Sequence, residues 1–423
     1  MSQFRLARLA LMLAALGLNA APALMHSASA EDKPAAQPDA VRPELFKLLD
    51  QAQAKQLADA KNFTELQNRL TQADAIPNKT PYENYVLART KLILASASGN
   101  QELLQSALEG VLASGKLPAA DQPRFTKALA DSYYGTKNYA KAIETYKKVQ
   151  GYEPDAVATG LTRSYYFSND YAQTVTLLGP QLDAQLKAGK TPSLDDLRIY
   201  GSAALKAKDN AAYLRALELL VSYYPNDDYW NDLVKRGIYQ KPGFAEANYT
   251  DVLRLQFAAV KQLPPENYSD LAELALKDGF PTEAKKVMDA GFAAGVLSTP
   301  QHKATRDRAT KEAANDAKTI AAGEANATKA KSGAGLVNIG WAYVTMDEFD
   351  KGIGFIQQGI AKGGLKSPDE AKLRLGMAYA RAGQKDKAIE TFETVKAGGG
   401  LSDTAKYWIL LLNHPNTGAA AAK

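Results

Sequence analysis

The strongest constraint on this chain is a short pattern that returns every 32 to 36 residues. Ser132–Tyr134 recurs as Ser164–Tyr166, an offset of 32. Nearer the C-terminus, Gly340 recurs as Gly376 at an offset of 36, each with a tyrosine three residues on. Self-similarity at such a period is typical of repeat proteins, in which each unit packs on its neighbours. The chain is therefore expected to be an array of repeated units.

Each repeat is predicted to be a hairpin of two helices. From Glu44 onward, hydrophobic residues recur at three- and four-residue spacing in stretches of roughly 12 to 16 residues, which is the period of an amphipathic helix. Short turns rich in Gly, Asn and Asp separate these stretches, as at 135–138 and 168–170. No segment alternates as a strand would, so an all-α fold is expected.

The residues at fixed positions within the hairpins resemble those of the tetratricopeptide-repeat family. The matching residues are Leu375, Gly376, Tyr379, Gly383, Ala388 and Phe392 in the closing repeat, and Leu129, Ala130, Tyr133, Ala142, Tyr146 and Pro154 in an earlier one. Weaker matches begin at Leu271 and at Ile339. The resemblance implies a right-handed superhelical solenoid of antiparallel helix hairpins, with divergent repeats.

Packing explains the residue types in the closing repeat. Gly376 and Ala388 are expected at the helix crossing, where small residues let two backbones approach. Tyr379 and Phe392 would fill the space beside the crossing. A bulky or charged residue at Ala388 is therefore expected to cost about 2 to 5 kcal/mol through overpacking or a buried charge.

The N-terminus has the three-part pattern of a secretory signal peptide. Arg5 and Arg8 precede an apolar stretch, and Ala28–Ala30 offers a small-residue cleavage site before Glu31. Cleavage after Ala30 is expected. The protein is then expected to be periplasmic, in a Gram-negative bacterium, with no membrane span after signal removal because no later apolar run approaches roughly 20 residues.

Composition shifts divide the chain into six parts. They are a signal peptide at 1–30, a flexible leader at 31–43, a helical-hairpin array at 44–300 with its clearest repeats at 123–180, a polar helix or linker at 301–333, C-terminal repeats at 334–413, and a disordered tail at 414–423. The 301–333 segment is rich in Ala, Lys and acidic residues and poor in large apolar ones, which predicts a solvated segment between packed regions.

Charge and residue inventory argue against several function classes. Removal of the signal peptide leaves 49 Lys and Arg against 46 Asp and Glu, a net charge of +3, which is far from the basic stripe of a nucleic-acid-binding protein. The chain has no cysteine and only three histidines, with one of them, His26, in the signal peptide. Nucleophilic catalysis by a cysteine or by a serine–histidine pair is therefore disfavoured, and neither a catalytic metal nor a cofactor is expected.

Acidic pairs are the remaining candidates for chemistry. Asp195 with Asp196, and Asp227 with Asp228, have the side chains that glycoside hydrolysis requires. A structural role is the favoured interpretation, because acidic residues are common in the first turn of helices and in turns. No catalytic residue is predicted.

A partner is expected on the face formed by the first helix of each hairpin, which in the family lines a concave groove. The positions carried over are Arg124, Lys127, Asp131, Tyr134, Arg163, Tyr166 and Phe167 in the first group, and Asn338, Trp341, Thr345, Arg374, Met377 and Arg381 in the second. Arginine binds carboxylates in a bidentate manner and aromatic rings bury large areas, so the mixture suits a peptide. Trp341 and Arg163 are predicted to be the more exposed members.

The leading hypothesis is a non-catalytic periplasmic scaffold or adaptor that binds a protein or peptide partner, associated with a complex of the cell envelope. Two alternatives stay open at this point. One is an envelope enzyme that acts on peptidoglycan or polysaccharide through the acidic pairs, and the other is a structural protein that self-associates.

Overall fold

The structure, a computed structural model, describes residues 39–416, and every regular element in that range is helical. These residues belong to two compact units, with the boundary between Leu178 and Gly179. The prediction of an all-α fold built from antiparallel helix hairpins is confirmed. The predicted signal peptide at 1–30 lies outside the described residues, as do 31–38 of the leader and 417–423 of the tail.

The first unit contains the helices up to the boundary. They are α1 (Pro43–Leu49), α2 (Gln51–Asp59), α3 (Phe63–Ala75), α4 (Pro81–Ser98), α5 (Gln101–Ala113), α6 (Gln122–Gly135), α7 (Tyr139–Lys147), α8 (Pro154–Phe167) and the start of α9 (Tyr171–Lys187). Consecutive helices pack as hairpins, with α4 on α5 and α6 on α7. One apolar cluster runs from Tyr85 to Tyr165 and a smaller one from Leu45 to Leu94.

The second unit contains the remaining helices. They are α10 (Leu194–Lys206), α11 (Asn210–Tyr223), α12 (Asp227–Val234), α13 (Tyr249–Ala259), α14 (Pro265–Lys277), α15 (Pro281–Ala293), α16 (Pro300–Lys329), α17 (Ala334–Thr345), α18 (Phe349–Lys362), α19 (Pro368–Arg381), α20 (Lys385–Glu393) and α21 (Leu401–Asn413). A π-helical turn at Lys235–Tyr239 continues α12, and a single 3-10 turn at Glu246–Asn248 precedes α13.

One turn geometry joins most of the hairpins. A residue with positive φ is followed by Asn or Asp, whose side chain accepts a hydrogen bond from the first turn of the next helix. Asn138, after Lys137 at φ 62°, accepts from the Lys141 amide at 3.3 Å. Asp209, after Lys208 at φ 59°, accepts from the Ala212 amide at 2.9 Å. These caps satisfy amides that would otherwise lack an intrahelical partner, which allows the hairpins that have them to turn within a few residues.

Small residues allow the helices to cross closely. A Cβ atom on Gly340 would lie 2.6 Å from the Gly352 carbonyl oxygen, so α17 and α18 meet backbone to backbone. A Cβ atom on Gly376 would overlap the Phe392 ring, and Ala388 is fully buried beside it. The packing roles expected from the sequence at the closing repeat are therefore present.

The last helix folds back onto the start of the second unit. α21 contacts α11, α13 and the π-helical turn as well as its sequence neighbours α19 and α20. Lys241 pairs with Asp403 at 2.5 Å, and the Ala245 amide donates to the Gly399 carbonyl at 3.2 Å. Helices α13, α15, α17, α19 and α21 thus form an inner layer whose ends meet.

The structure places three segments differently from the sequence analysis. The boundary between the two units falls at 178/179, inside the predicted array at 44–300, while the predicted polar helix or linker at 301–333 lies within the second unit, where α16 is a largely exposed helix. Within the leader at 31–43, Arg42 donates to Glu83 at 2.8 Å and is held in place. Within the tail at 414–423, the Asn416 side chain donates to the Ala259 carbonyl at 3.1 Å, so residues 414–416 are packed. No helix within residues 39–416 combines the length and the apolar character needed to cross a bilayer.

Candidate functional site

The first group of predicted partner residues comes together on the first unit. Helix α6 carries four of them and α8 carries three, and these two helices contact each other directly. The residues are Arg124, Lys127, Asp131 and Tyr134 on α6, with Arg163, Tyr166 and Phe167 on α8. Their neighbouring helices therefore place them on one surface, as the hairpin period requires.

The charged members of this group are already paired within the chain. Lys127 contacts Asp131 at 3.0 Å and Glu153 at 3.6 Å, and Arg124 contacts Asp121 at 3.4 Å. Burial lowers the pKa of Lys127, but the two carboxylates raise it by more. These cations are therefore less available to a partner's carboxylates than the sequence suggested.

Aromatic side chains dominate the same surface. Five rings, here called the aromatic surface, contact one another in a row: Tyr134, Tyr139, Tyr166, Phe167 and Tyr171. Phe167 stacks on Tyr139 with ring centroids 5.5 Å apart, yet remains 47% exposed. An exposed phenylalanine in the middle of an aromatic cluster is a typical anchor point for a partner.

The second group of predicted residues is divided by the structure. Arg374 donates to the Asn338 side chain at 3.0 Å, and Thr345 is buried with its hydroxyl on the Ala342 carbonyl. The remaining three, Trp341, Met377 and Arg381, line a cavity. The expectation that Trp341 is exposed is wrong, because its ring is 1% exposed between α15 and α19.

This cavity lies inside the second unit and has a volume of about 590 Å³. Helices α13, α15, α17, α19 and α21 all contribute to its wall. Its lining residues are Arg254, Phe257, Ala258, Glu283, Lys286, Val287, Asp289, Ala290, Trp341, Asp347, Met377, Arg381 and Trp408. Binding sites for small molecules typically have about this volume and a largely apolar wall with a few charged groups.

A buried ion pair forms one side of the cavity. Arg254, 5% exposed, donates to Glu283 at 2.9 and 2.7 Å and to Asp251 at 2.6 Å. Burial raises the pKa of Glu283, but the charges of Arg254 and Arg381 and the hydrogen bonds from Arg254 and Trp341 together lower it by more, so the carboxylate stays charged. The sequence analysis missed this pair. The signal available was an arginine within an otherwise apolar stretch of α13, where a cation needs a buried partner.

Two guanidinium groups lie close to the ring of Trp341. Arg254 lies 4.9 Å from the indole ring centre and Arg381 lies 5.6 Å from it. The indole nitrogen donates to Glu283 at 3.3 Å, which fixes the ring in the wall. Arg254 has two carboxylate partners, whereas Arg381 has no hydrogen bond or ion pair to any residue between 39 and 416.

The three carboxylates of the cavity wall are each paired with a different cation. Glu283 binds Arg254, and Asp347 binds Lys286 at 2.6 Å. Asp289 accepts from Lys285 and Arg306, each at 2.6 Å. None of these carboxylates accepts a hydrogen bond from Arg381.

The acidic pairs considered for catalysis have structural positions. Asp195 and Asp196 lie in the first turn of α10, where the Ser193 hydroxyl caps the Asp196 amide at 3.1 Å. The Asp227 carboxylate accepts the amides of Lys261 and Gln262 at 3.0 and 3.2 Å. Within residues 39–416, no group of three or more His, Asp or Glu side chains is arranged to hold a metal ion.

Comparison with known families identifies two segments of the chain. Residues 128–155 and residues 370–397 each match a model of the tetratricopeptide repeat. The first segment runs from the middle of α6 through α7 to the start of α8, and the second covers nearly all of the α19–α20 hairpin. These are the two repeats that the sequence resemblance identified most clearly, and helix hairpins of this kind are consistent with a protein-interaction scaffold.

No curated protein matches the chain. Among solved structures, the chain is similar to the TPR2AB-domain:pHSP90 complex of yeast Sti1, with 12% identity, a TM-score of 0.23, and coverage of 70% of this chain and 98% of that one. It is also similar to Naa15/Naa10 bound to HypK-THB, at 14% identity and a TM-score of 0.30, with coverage of 91% of this chain and 63% of that one. The similarity to yeast Tom70 has 12% identity and a TM-score of 0.21, and it covers 87% of this chain and 95% of that one. These similarities are low, so the fold rests on the contacts within this chain.

Proposed function

We propose that this protein is a non-catalytic, exported adaptor that binds a protein or peptide partner on the aromatic surface of its first unit. The observation that carries the proposal is the row of five contacting rings with Phe167 47% exposed at its centre. Large aromatic side chains supply most of the binding energy at protein interfaces. Phe167 is therefore the proposed anchor.

The paired charges beside this surface determine what kind of contact is proposed. Because Lys127 and Arg124 already have carboxylate partners, the partner is held chiefly by apolar contact with the rings and not by a carboxylate clamp. Surface ion pairs contribute little net energy and mainly exclude unsuitable partners. A partner segment with an apolar or aromatic side chain fits this arrangement.

Export to the periplasm is part of the proposal and is supported by the sequence of residues 1–30. Two arginines, an apolar stretch and Ala28–Ala30 match a secretory signal peptide. Fractionation of expressing cells, with N-terminal sequencing of the mature protein, tests this directly. A mature protein that begins at Glu31 in the periplasmic fraction is expected, and an uncleaved cytoplasmic protein would contradict export.

Site-specific photocrosslinking tests the binding surface. A benzoylphenylalanine at position 167 is expected to crosslink a discrete partner in cells, because that ring lies at the centre of the aromatic surface. Position 46 is the matched control, since Phe46 is 50% exposed on α1 of the same unit but lies outside the aromatic surface. Adding Tyr139→Ala should weaken the crosslink from position 167. Equal crosslinking at both positions, or none at 167, would overturn the assignment.

A further inference from the structure

The cavity of the second unit contains a cation, Arg381, for which the described part of the chain provides no hydrogen-bond acceptor. Arg381, at the end of α19, lines the cavity together with five other charged residues and with the apolar side chains of Phe257, Val287, Trp341, Met377 and Trp408. A guanidinium has five N–H donors, and those of Arg381 remain available to an acceptor bound in the cavity. An anion from outside the chain would provide one.

The neighbouring charges favour an anion over a cation. Burial lowers the pKa of Arg381; Glu283 and Asp347 raise it, Arg254 lowers it, and the net shift is downward. Glu283, Asp289 and Asp347 are each within 2.7 Å of another cation, so their charge is already balanced. A bound carboxylate next to Arg381 would restore the balance there.

The apolar side chains of the cavity wall indicate which group the ligand carries besides its carboxylate. The Trp341 indole nitrogen donates to Glu283 at 3.3 Å, and Met377, in the same wall, is 1% exposed. Trp408 stacks on Phe392 with centroids 5.9 Å apart, which holds its ring in place. Two positioned indoles and a thioether suit an aromatic or branched hydrocarbon group.

The closure of the inner helices determines the size of the ligand. Because α21 contacts both α19 and α13, the inner helices adjoin one another around the cavity, which favours a compact ligand over an extended polypeptide. Lys286 and Asp347 both line the cavity and form an ion pair, and the Asp347 side chain is about half exposed. A cavity of about 590 Å³ accommodates a molecule of small-metabolite size.

We propose that this cavity binds a small organic acid, with its carboxylate on Arg381 and its aromatic or branched apolar group against Trp341, Met377 and Trp408. This inference goes beyond the adaptor function, since it concerns a different unit and a different class of ligand. The same chemistry occurs in a free acid and in the last residue of a peptide, and the geometry favours the free acid.

The test measures binding of simple probes to the full chain by calorimetry and by tryptophan fluorescence, which reports on Trp341 and Trp408. 4-Phenylbutyrate should bind with a dissociation constant of about 1 mM or lower, given the usual binding energy per ligand atom. Its neutral amide should bind at least about tenfold more weakly, because it lacks the charge-assisted hydrogen bond. Octanoate provides a second acid without a ring.

Two variants identify the site. Arg381→Gln should weaken binding of 4-phenylbutyrate by about 10- to 100-fold, the loss expected for a charged hydrogen bond. Arg308→Gln removes the same charge from the exposed face of α16 and should leave binding unchanged. Ala290→Leu places a larger side chain in the cavity wall and should abolish binding of both acids. Circular dichroism melting shows whether each variant is folded.

Three results would overturn the inference. They are no saturable binding of either acid up to about 10 mM, given the expected affinity, equal binding of acid and amide, or unchanged binding in folded Arg381→Gln. Acetyl-glycyl-phenylalanine separates the two sources of the carboxylate. If this peptide binds and the free acids do not, the cavity recognises a chain terminus and not a small acid. Crosslinking from position 167 does not depend on this outcome.

Discussion

The side-chain amide of Asn248 donates a 2.8 Å hydrogen bond to the carbonyl oxygen of Gly399, 151 residues later in the chain. Next to it, the Ala245 amide donates to the same oxygen. These contacts attach the turn before α21 to the turn before α13. They hold the inner helices around the cavity as a closed layer.

Asn248→Ala is expected to destabilise the second unit by about 0.5 to 1.5 kcal/mol, the usual net value of one hydrogen bond. Urea denaturation followed by tryptophan fluorescence measures this selectively, since Trp230, Trp341 and Trp408 all lie in the second unit. Asn84→Ala is the control, because Asn84 makes only a 3.5 Å exposed contact in the first unit. An unchanged midpoint in Asn248→Ala would mean that this bond contributes nothing to closure.

Two glycines of the α17–α18 hairpin should respond in opposite directions to alanine. Gly340→Ala places a methyl group 2.6 Å from the Gly352 carbonyl oxygen and should cost about 1 to 3 kcal/mol. Gly354→Ala, on α18, meets nothing within 4 Å and should stabilise the helix by about 0.5 to 1 kcal/mol. Thermal and urea unfolding of the pair measure both. Similar effects at the two positions would contradict the close crossing.

Removal of one partner from the buried Arg254–Glu283 pair should be costly. Glu283→Gln leaves Arg254 with only Asp251 as a charged partner, and loss of one member of a buried pair typically costs about 3 to 5 kcal/mol. Glu312→Gln is the matched control, because Glu312 pairs with Arg308 on the exposed face of α16 and should change stability by less than about 1 kcal/mol. Urea denaturation of the two variants compares them. Equal stability would show that the buried pair is replaceable.

The first unit is expected to lose stability in acid because the stabilising Glu83 carboxylate becomes protonated. Burial by itself raises the pKa of Glu83, but hydrogen bonds from Arg42 and from the Thr80 amide lower it from 4.5 to about 2. Because the folded pKa is below the unfolded one, this stabilisation is present above pH 4.5 and is lost as the pH falls towards 2.

The measurement is urea denaturation followed by far-UV circular dichroism at pH 6 and pH 3. Glu83→Gln should be less stable than the parent protein by about 1 to 3 kcal/mol at pH 6, because hydrogen bonds to a charged acceptor are lost. The difference should become smaller at pH 3. Glu44→Gln changes an exposed contact to the same Arg42 and should show no such dependence. A difference that is constant with pH would rule out the Glu83 carboxylate as its source.

Local residue types were enough to predict the helix hairpins. The caps at Asn138 and Asp209 and the close approach at Gly376 depend on residues only a few positions apart, or on one repeat. The same period brought Tyr134 and Phe167 to one surface, because equivalent positions of adjacent hairpins are neighbours. The repeat period was therefore enough to predict both the helix-hairpin fold and the first predicted surface.

The cavity and the position of Arg381 in its wall could not be predicted from the repeat period, because they depend on contacts between hairpins that are distant in the sequence. Arg254 and Glu283 are on different hairpins, and the buried Trp341 of a third hairpin donates to Glu283. A groove position on a repeat is exposed only if no other side chains cover it, and here Glu283, Arg254 and Arg381 lie against the Trp341 ring. This is why Trp341 was predicted to be exposed and is not.

The sequence by itself determined that this chain forms helix hairpins, where they turn and which small residues allow them to cross. These properties depend on local backbone preferences and on one repeated packing contact. Only the tertiary structure decided that the second unit closes, through bonds such as Asn248 to Gly399, and that Arg381 lines a cavity with no hydrogen-bond acceptor for it among residues 39–416. Closure depends on side chains about 150 residues apart, whose meeting follows from the accumulated angles of all the hairpins between them.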